Sequence, residues 1–440
     1  MKALFIFILS FSLFAQDEFS EFEQEQGSQS SWSLSGFIEL EQGGNISGTG
    51  AHHQNVESDN YVLANRRVRG QALRPTDWGG FYATLDLFND DVEDHSYLDV
   101  RELRVQYRAT EWLDFSAGRQ VSTWGVADML FINDLFAKNW VANFQGRDME
   151  MLKNPNTSVR LTTYVNDWTV DLVYIPQFEA DITPTGCRFS VFDPNTPGII
   201  TNLNGCAKPT PLGIDGEELE DDELAISIKR KMGNHELALY GYHGFWPSPR
   251  GLIGTAPNLQ QVHPRLNVFG LSDEGQVGPG IFSFEAGYYD SKDDPKGNNY
   301  LIENSKWKYL LGYRMDLTSH FSFGLQFYQE RMLQYDEYEQ AFLAANAAGF
   351  PFRKKELQET YTLRLTYKAQ QETLWFSLFT YIRPDDKDAF TKIEISKKFT
   401  DNLKFTTGVS LFEGDDNYRD REFGMLKNDD NVYTRINYSF

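Results

Sequence analysis

Two-residue alternation of apolar and polar side chains recurs along almost the whole chain, and it restricts the fold to strands with one apolar and one wet face. Trp307, Tyr309, Leu311, Tyr313 and Met315 alternate with Lys308, Gly312, Arg314 and Asp316, and only Leu310 is out of step. Phe321, Phe323, Leu325 and Phe327 alternate with Ser322, Gly324, Gln326 and Tyr328. Tyr361, Leu363, Leu365 and Tyr367 alternate with Thr362, Arg364, Thr366 and Lys368. Such runs fall at 32 to 43, 61 to 73, 80 to 89, 98 to 109, 113 to 123, 157 to 165, 168 to 176, 223 to 232 and 235 to 246. They continue at 264 to 272, 280 to 291, 306 to 317, 320 to 332, 358 to 369, 372 to 383, 389 to 399, 402 to 412 and 430 to 440, about 18 in all.

The connections separate into two classes. RPTDWG (74 to 79), ATEW (109 to 112), NDW (166 to 168), MGN (232 to 234), TS (318 to 319) and TDN (400 to 402) are short. The alternate ones are mostly longer, among them 44 to 60, 125 to 155, 177 to 222, 246 to 263, 333 to 357 and 414 to 429. Short turns at one rim and long loops at the other are the layout of an outer-membrane barrel, and an even strand count puts both chain ends on the short-turn, periplasmic side. A soluble sandwich would also alternate, but seldom through so many successive hairpins. The expected fold is therefore all-β: a transmembrane, antiparallel, up-and-down β-barrel of about 18 strands, with short periplasmic turns and long extracellular loops.

Hydropathy agrees with this. After the N-terminus no stretch offers the roughly 20 apolar residues a membrane helix needs, and the mean hydropathy is -0.48. A barrel disperses its membrane signal over alternating faces, so a low mean is no obstacle. Aromatic residues make up 15% of the chain, with 34 Phe and 22 Tyr, enough to supply interfacial girdles. The formal charge of -22 argues against nucleic acid as a partner. The acidic runs GEELEDDE (216 to 223) and EGDDNYRDRE (413 to 422) read as solvated loops, since neither has the spacing of a calcium-binding loop.

Residues 1 to 15 (MKALFIFILSFSLFA) read as a signal peptide, although Leu13 occupies a position where a small residue is preferred. Residues 16 to 31 form a polar segment, and 32 to 440 the barrel. Cys187 and Cys206 share one long connection with no histidine near them in sequence. In an exported chain they are expected to form a disulfide, worth about 3 kcal/mol for a loop of about 20 residues. The last strand, NVYTRINYSF, carries Val432, Ile436 and Tyr438 on one face and ends at Phe440. It resembles the C-terminal assembly signal of bacterial outer-membrane proteins, which implies recognition by the barrel-assembly machinery.

Within 98 to 140 the two-residue period stops after Trp124 and Gly125. Met129, Leu130, Ile132, Phe136, Trp140 and Phe144 then recur at short intervals closer to those of an amphipathic helix. This third long connection has too many large apolar residues for a free loop. It is expected to bend into the lumen and set the pore's width, leaving Asp128, Asn133, Asp134 and Lys138 facing the aqueous gap. Capping of the barrel mouth or docking of a partner is the other reading.

With the barrel argued, the block RELRVQYR, GRQVSTWG, ADMLFINDLFAKNW resembles that of alginate-export-like barrels and a related family of porin-like barrels of unassigned substrate. The resemblance covers about a tenth of the chain. It implies passive export or uptake, without identifying the solute. On physical grounds, Gly118 leaves room for a close backbone approach. Strict alternation would then turn Gln120 to the lumen and Arg119 to lipid. Either a bulge near Gly118, slightly favoured, or snorkelling of Arg119 to the outer headgroups would resolve this.

Arg67, Arg69, Arg104, Arg108, Arg160, Arg314, Arg364 and Arg435 fall on the lumen parity together with Glu102 and Gln120. They would form an anion-attracting wall, or a structural ladder paired with acids such as Glu102, Asp86, Asp171 and Glu394. The histidines, His52, His53, His95, His235, His243, His263 and His320, fall mostly in loops or turns. None accompanies a recognisable hydrolase pattern, so no enzyme, metal or cofactor is expected. The segment before residue 32 is too short for the plug of an energy-coupled receptor. The expected function is a passive channel in the outer membrane of a Gram-negative bacterium for small or polymeric hydrophilic, anionic solutes. Its partners would be outer-membrane lipid and lipopolysaccharide, the assembly machinery and the solute. A non-conducting binding or adhesion barrel and a partner of an export complex are the alternatives, with an outer-membrane hydrolase the least favoured.

Overall fold

The structure, a computed structural model, describes residues 31 to 46, 61 to 195, 198 to 200, 210 to 255, 257 to 345, 353 to 415 and 422 to 440. Eighteen strands form one antiparallel sheet closed on itself. The first half comprises β1 (Ser33–Asn45), β2 (Tyr61–Thr76), β3 (Gly79–Asp90), β4 (His95–Thr110), β5 (Leu113–Gln120), β6 (Asn156–Val165), β7 (Trp168–Ile175), β8 (Glu223–Met232) and β9 (His235–Phe245). The second comprises β10 (Arg265–Val277), β11 (Gly280–Ser291), β12 (Lys306–Asp316), β13 (Phe321–Met332), β14 (Leu357–Ala369), β15 (Leu374–Arg383), β16 (Asp388–Lys398), β17 (Leu403–Glu413) and β18 (Asn431–Ser439). Each strand pairs with its neighbours in sequence, and β18 closes on β1 with Phe37 opposite Ser439 and Asn45 opposite Asn431. Closure removes both sheet edges, the condition for a β-structure to stand in hydrocarbon. Each run of alternation read from the sequence became one barrel strand.

The outward face carries exposed apolar side chains such as Leu34, Ile38, Leu103, Phe269, Leu325 and Ile436. The inward face differs from a uniformly polar lumen. Leu310, out of step in sequence, points inward and is fully buried. It lies in a cluster with Val173, Tyr240, Val268, Tyr289 and Tyr328 from the β7 to β13 wall. A second inward cluster gathers Leu63, Phe379, Tyr381, Phe390, Phe412 and Tyr433 from β2 and β15 to β18. Apolar lumen walls require something to cover them.

The sheet departs from regular register in β4. Thr84 pairs with Glu102 and Leu85 with Val100, so Arg101 is the extra residue of a bulge. It turns inward beside Glu102, while Val100 and Leu103 stay on the outer side. No register shift occurs at Gly118, so the bulge that alternation favours there is absent. Gly118 has φ +130°, and a Cβ there would meet the Leu103 carbonyl oxygen at 2.2 Å. Arg119 keeps its outward parity at the long-loop end of β5, donating to the Val100 carbonyl at 2.9 Å and pairing with Glu179 at 2.9 Å.

Candidate functional site

Residues 121 to 155, joining β5 to β6, fill the space between the two apolar walls. Trp124, Ile132, Leu135 and Phe136 belong to the cluster on the β7 to β13 side. Met129, Phe144 and Leu152 belong to the opposite one. Phe144 meets Phe189, Phe390, Phe412 and Phe423 edge to face, with centroids 5.5 to 6.4 Å apart. Burying each large side chain stabilises this arrangement by about 1.5 to 3 kcal/mol.

The helix expected across Met129 to Phe144 is confined to α1 (Trp140–Phe144), with a 3₁₀ turn at Met149–Leu152. Positive φ at Gly125 (85°) and Met129 (62°) breaks any continuous helix before α1. The backbone also bonds to the wall instead of to itself. The Glu285 carboxylate on β11 accepts from the N–H groups of Val126, Ala127 (2.8 Å) and Asn133 (3.3 Å) and from Asn133 Nδ2 (3.0 Å). The Tyr289 hydroxyl donates to the Ile132 carbonyl at 2.5 Å, and the Tyr381 hydroxyl donates to that of Met129. Bulged Arg101 donates to the carbonyls of Glu150 (2.9 Å) and Lys153 (2.6 Å). α1 is capped by Asn139, whose Oδ1 accepts from the Ala142 N–H at 2.9 Å.

Ion pairs complete the attachment. Glu150 bonds to Arg67 at 2.9 Å and to Arg69 at 2.7 Å, both of which also bond Asp86. Burial pushes the Glu150 carboxyl up, but Arg69 and Arg67 outweigh it and hold it down at about 2. Arg147 pairs with Glu41 at 3.4 Å, Arg435 pairs with Asp148, and Arg364 with Asp128.

All eight arginines assigned to the lumen parity have a carboxylate partner. Besides the pairs above, Arg104 meets Glu102 at 2.5 Å, Arg108 meets Asp114 at 3.2 Å and Arg160 meets Asp171 at 2.5 Å. Arg314 meets Glu274 at 3.0 Å, and Arg435 also meets Glu394 at 3.1 Å. The geometry is that of the paired ladder. Arg67, Arg69 and Arg435 are buried, whereas Arg160, Arg314 and Arg364 keep about a third of their side-chain surface in solvent. Gln120 is buried, bonded to Ser116 at 2.6 Å and Ser158 at 3.1 Å.

Of the four segment residues expected at an aqueous gap, three are elsewhere. Lys138 is 3% exposed, pairing with Asp134 at 2.8 Å and donating to the Phe136 carbonyl. Asp134 also accepts from the Thr123 hydroxyl at 2.8 Å. Asn133 is held by Glu285 and the Leu271 carbonyl. These polar groups lie inside a packed segment, where an unpaired one would cost about 1 to 3 kcal/mol, so they turn to each other. Asp128 alone keeps substantial solvent contact, at 43% of its side chain.

At the chain end Phe440 exchanges backbone bonds with Gly36 (3.0 and 2.9 Å), and Tyr438 pairs with Ile38. Cys206, and with it the expected link to Cys187, lies outside the described residues, as do His52, His53 and residues 1 to 30.

No protein-family model matches the sequence, and no curated protein matches it. The fold, by contrast, has counterparts among solved structures. OccD3 (OpdP) of Pseudomonas aeruginosa has a TM-score of 0.53 over 94% of this chain and 92% of its own, at 10% identity. OccAB1 of Acinetobacter baumannii has 0.53 over 94% and 98%, at 12% identity. OccK8 (OprE) of P. aeruginosa has 0.52 over 93% and 98%, at 12% identity. The protein is a bacterial outer-membrane β-barrel. At these identities the likeness is one of fold.

Proposed function

We propose that this outer-membrane barrel is a passive diffusion channel for small hydrophilic solutes, and that residues 121 to 155 set its constriction. One observation carries the proposal: the segment is built into the lumen, packed on both walls and tied by ion pairs to β1, β2, β14 and β18. A surface loop or a mouth cap would not need apolar residues on the lumen parity of so many strands. The porin fold of its structural counterparts and the resemblance of the motif block to alginate-export-like conduits support the same class of function.

The anion preference expected from eight lumenal arginines is weakened by their pairing. A guanidinium beside a carboxylate presents a dipole to a passing ion instead of a full charge, so steering toward either sign is modest. The proposed solutes are therefore small polar molecules, with anions favoured only where an arginine is exposed.

Liposome swelling tests this reading. Vesicles carrying the refolded mature protein should swell in isotonic small sugars and in small organic anions, with rates falling steeply as solute size grows. Folded, heat-modifiable protein that gives no swelling with any solute would favour a sealed binding or adhesion barrel.

A further inference from the structure

Five ion pairs join residues 121 to 155 to the barrel wall among the described residues, and they differ in exposure. Arg67 and Arg69 with Glu150 expose 1% and 6% against 18%; Arg147 with Glu41 exposes 6% and 1%. Arg435 is 4% exposed against 32% for Asp148. Only Arg364 and Asp128 both reach solvent, at 32% and 43%. In each of the other four at least one partner is buried against the wall.

We infer that solutes pass along the β12 to β14 wall and that Asp128 with Arg364 sets the charge selectivity there. This rests on the channel reading above. Three inward positions in register line that wall: Arg314 pairs with Gly324, and Gly324 with Arg364. A Cβ on Gly324 would meet the Cβ atoms of both arginines only at 3.7 and 3.9 Å, so the position has ordinary room for a side chain and has none. The result is a shallow lane between two arginines that each keep about a third of their side chain in solvent, where the rest of the segment is packed against wall.

Asp128 is held rigidly over this lane. The Gln326 amide, oriented as its neighbours' donors and acceptors require, accepts from the Asp128 N–H at 2.9 Å and donates to its carbonyl at 2.7 Å. Tyr381 ties the next carbonyl, that of Met129, whose φ of 62° turns the chain. The Asp128 carboxylate takes two bonds from Arg364, whose guanidinium also lies 4.6 Å from the Phe379 ring centroid. A solute passing here meets one fixed acid and one fixed base in partial contact with water, where Coulomb forces are screened less than in bulk. Removing either partner leaves the other as a full charge beside the lane.

Planar-bilayer recording under a potassium chloride gradient tests the inference, with heat-modifiability confirming the fold of every variant. Asp128→Asn should shift the reversal potential toward the chloride equilibrium value, and Arg364→Gln toward that of potassium. Gly324→Cys, treated with a bulky methanethiosulfonate, should lose conductance while wild type treated alike does not. If wild type conducts but both reversal potentials stay put, or the modified Gly324→Cys channel conducts as before, the lane lies elsewhere. If folded wild type does not conduct at all, the channel reading falls and this inference with it.

Discussion

Glu285→Gln should free the first part of the inward segment while leaving the barrel closed. The carboxylate is 1% exposed and accepts from four nitrogen donors, three of them backbone N–H groups of residues 126, 127 and 133. A group surrounded by four donors serves as an acceptor on both oxygens, which only the ionised acid provides. The amide keeps one acceptor oxygen, able to serve about two donors, and turns its NH₂ toward the others. Bonds to a charged group are worth about 1.5 to 3 kcal/mol each and neutral ones about 0.5 to 1.5. Losing two of the first kind and weakening two makes a net cost of about 3 kcal/mol a conservative figure. At 1.4 kcal/mol per factor of ten, local opening becomes more than about a hundredfold more frequent. Hydrogen exchange read by mass spectrometry on the peptide holding residues 124 to 134 should accelerate by that order. Strand peptides from β15 to β17 should exchange as in wild type. Unchanged protection of the segment would refute the view that Glu285 holds it.

Because Glu150 is held down at about 2, below the ordinary carboxylate range, its contribution should be complete above about pH 4.5 and disappear only as the pH falls through about 2. Segment fluorescence from Trp124 and Trp140 should therefore hold steady from pH 6 to 4, and loss of signal near pH 4.5 would contradict this. Deleting Phe440, which pairs with Gly36 at the closing seam, should lower the yield of heat-modifiable barrel in the outer membrane; wild-type assembly kinetics would remove that role. Non-reduced peptide mapping should find Cys187 joined to Cys206, and two free thiols in protein isolated from the outer membrane would overturn the pairing.

The barrel was legible because lipid and water impose a period of two on every strand, and because hairpin closure sorts short turns from long loops. The inward segment was legible from Met129, Phe136, Trp140 and Phe144, which demand burial. Its conformation was not, since local periodicity suggested a helix while the backbone bonds went to Glu285, Tyr289 and Tyr381, each more than 150 residues away in sequence. One signal for its landing place was available. Leu310, Tyr240, Phe379, Phe390 and Phe412 put apolar or aromatic side chains on the lumen parity, which only an inward element would cover. The bulge had a trace as well, in the adjacent charges Arg101 and Glu102, both of which now face inward. The sealed state of Asn133, Asp134 and Lys138 could not be read from composition, because polar residues that satisfy one another look the same in sequence as residues that face water.

If residues 121 to 155 set the width of the pore, single-channel conductance should respond to deletion of Ala127 to Asn139. That deletion removes Asp128, the Glu285-bound Asn133, and Ile132, Leu135, Phe136 and Met129, which pack on the two walls, while β5, β6 and the closing seam between β1 and β18 are retained. The folded variant should show open-channel steps several times larger than wild type, with weaker ion selectivity. Steps and selectivity equal to wild type, in a barrel shown to be folded, would mean that residues 121 to 155 do not set the pore's width.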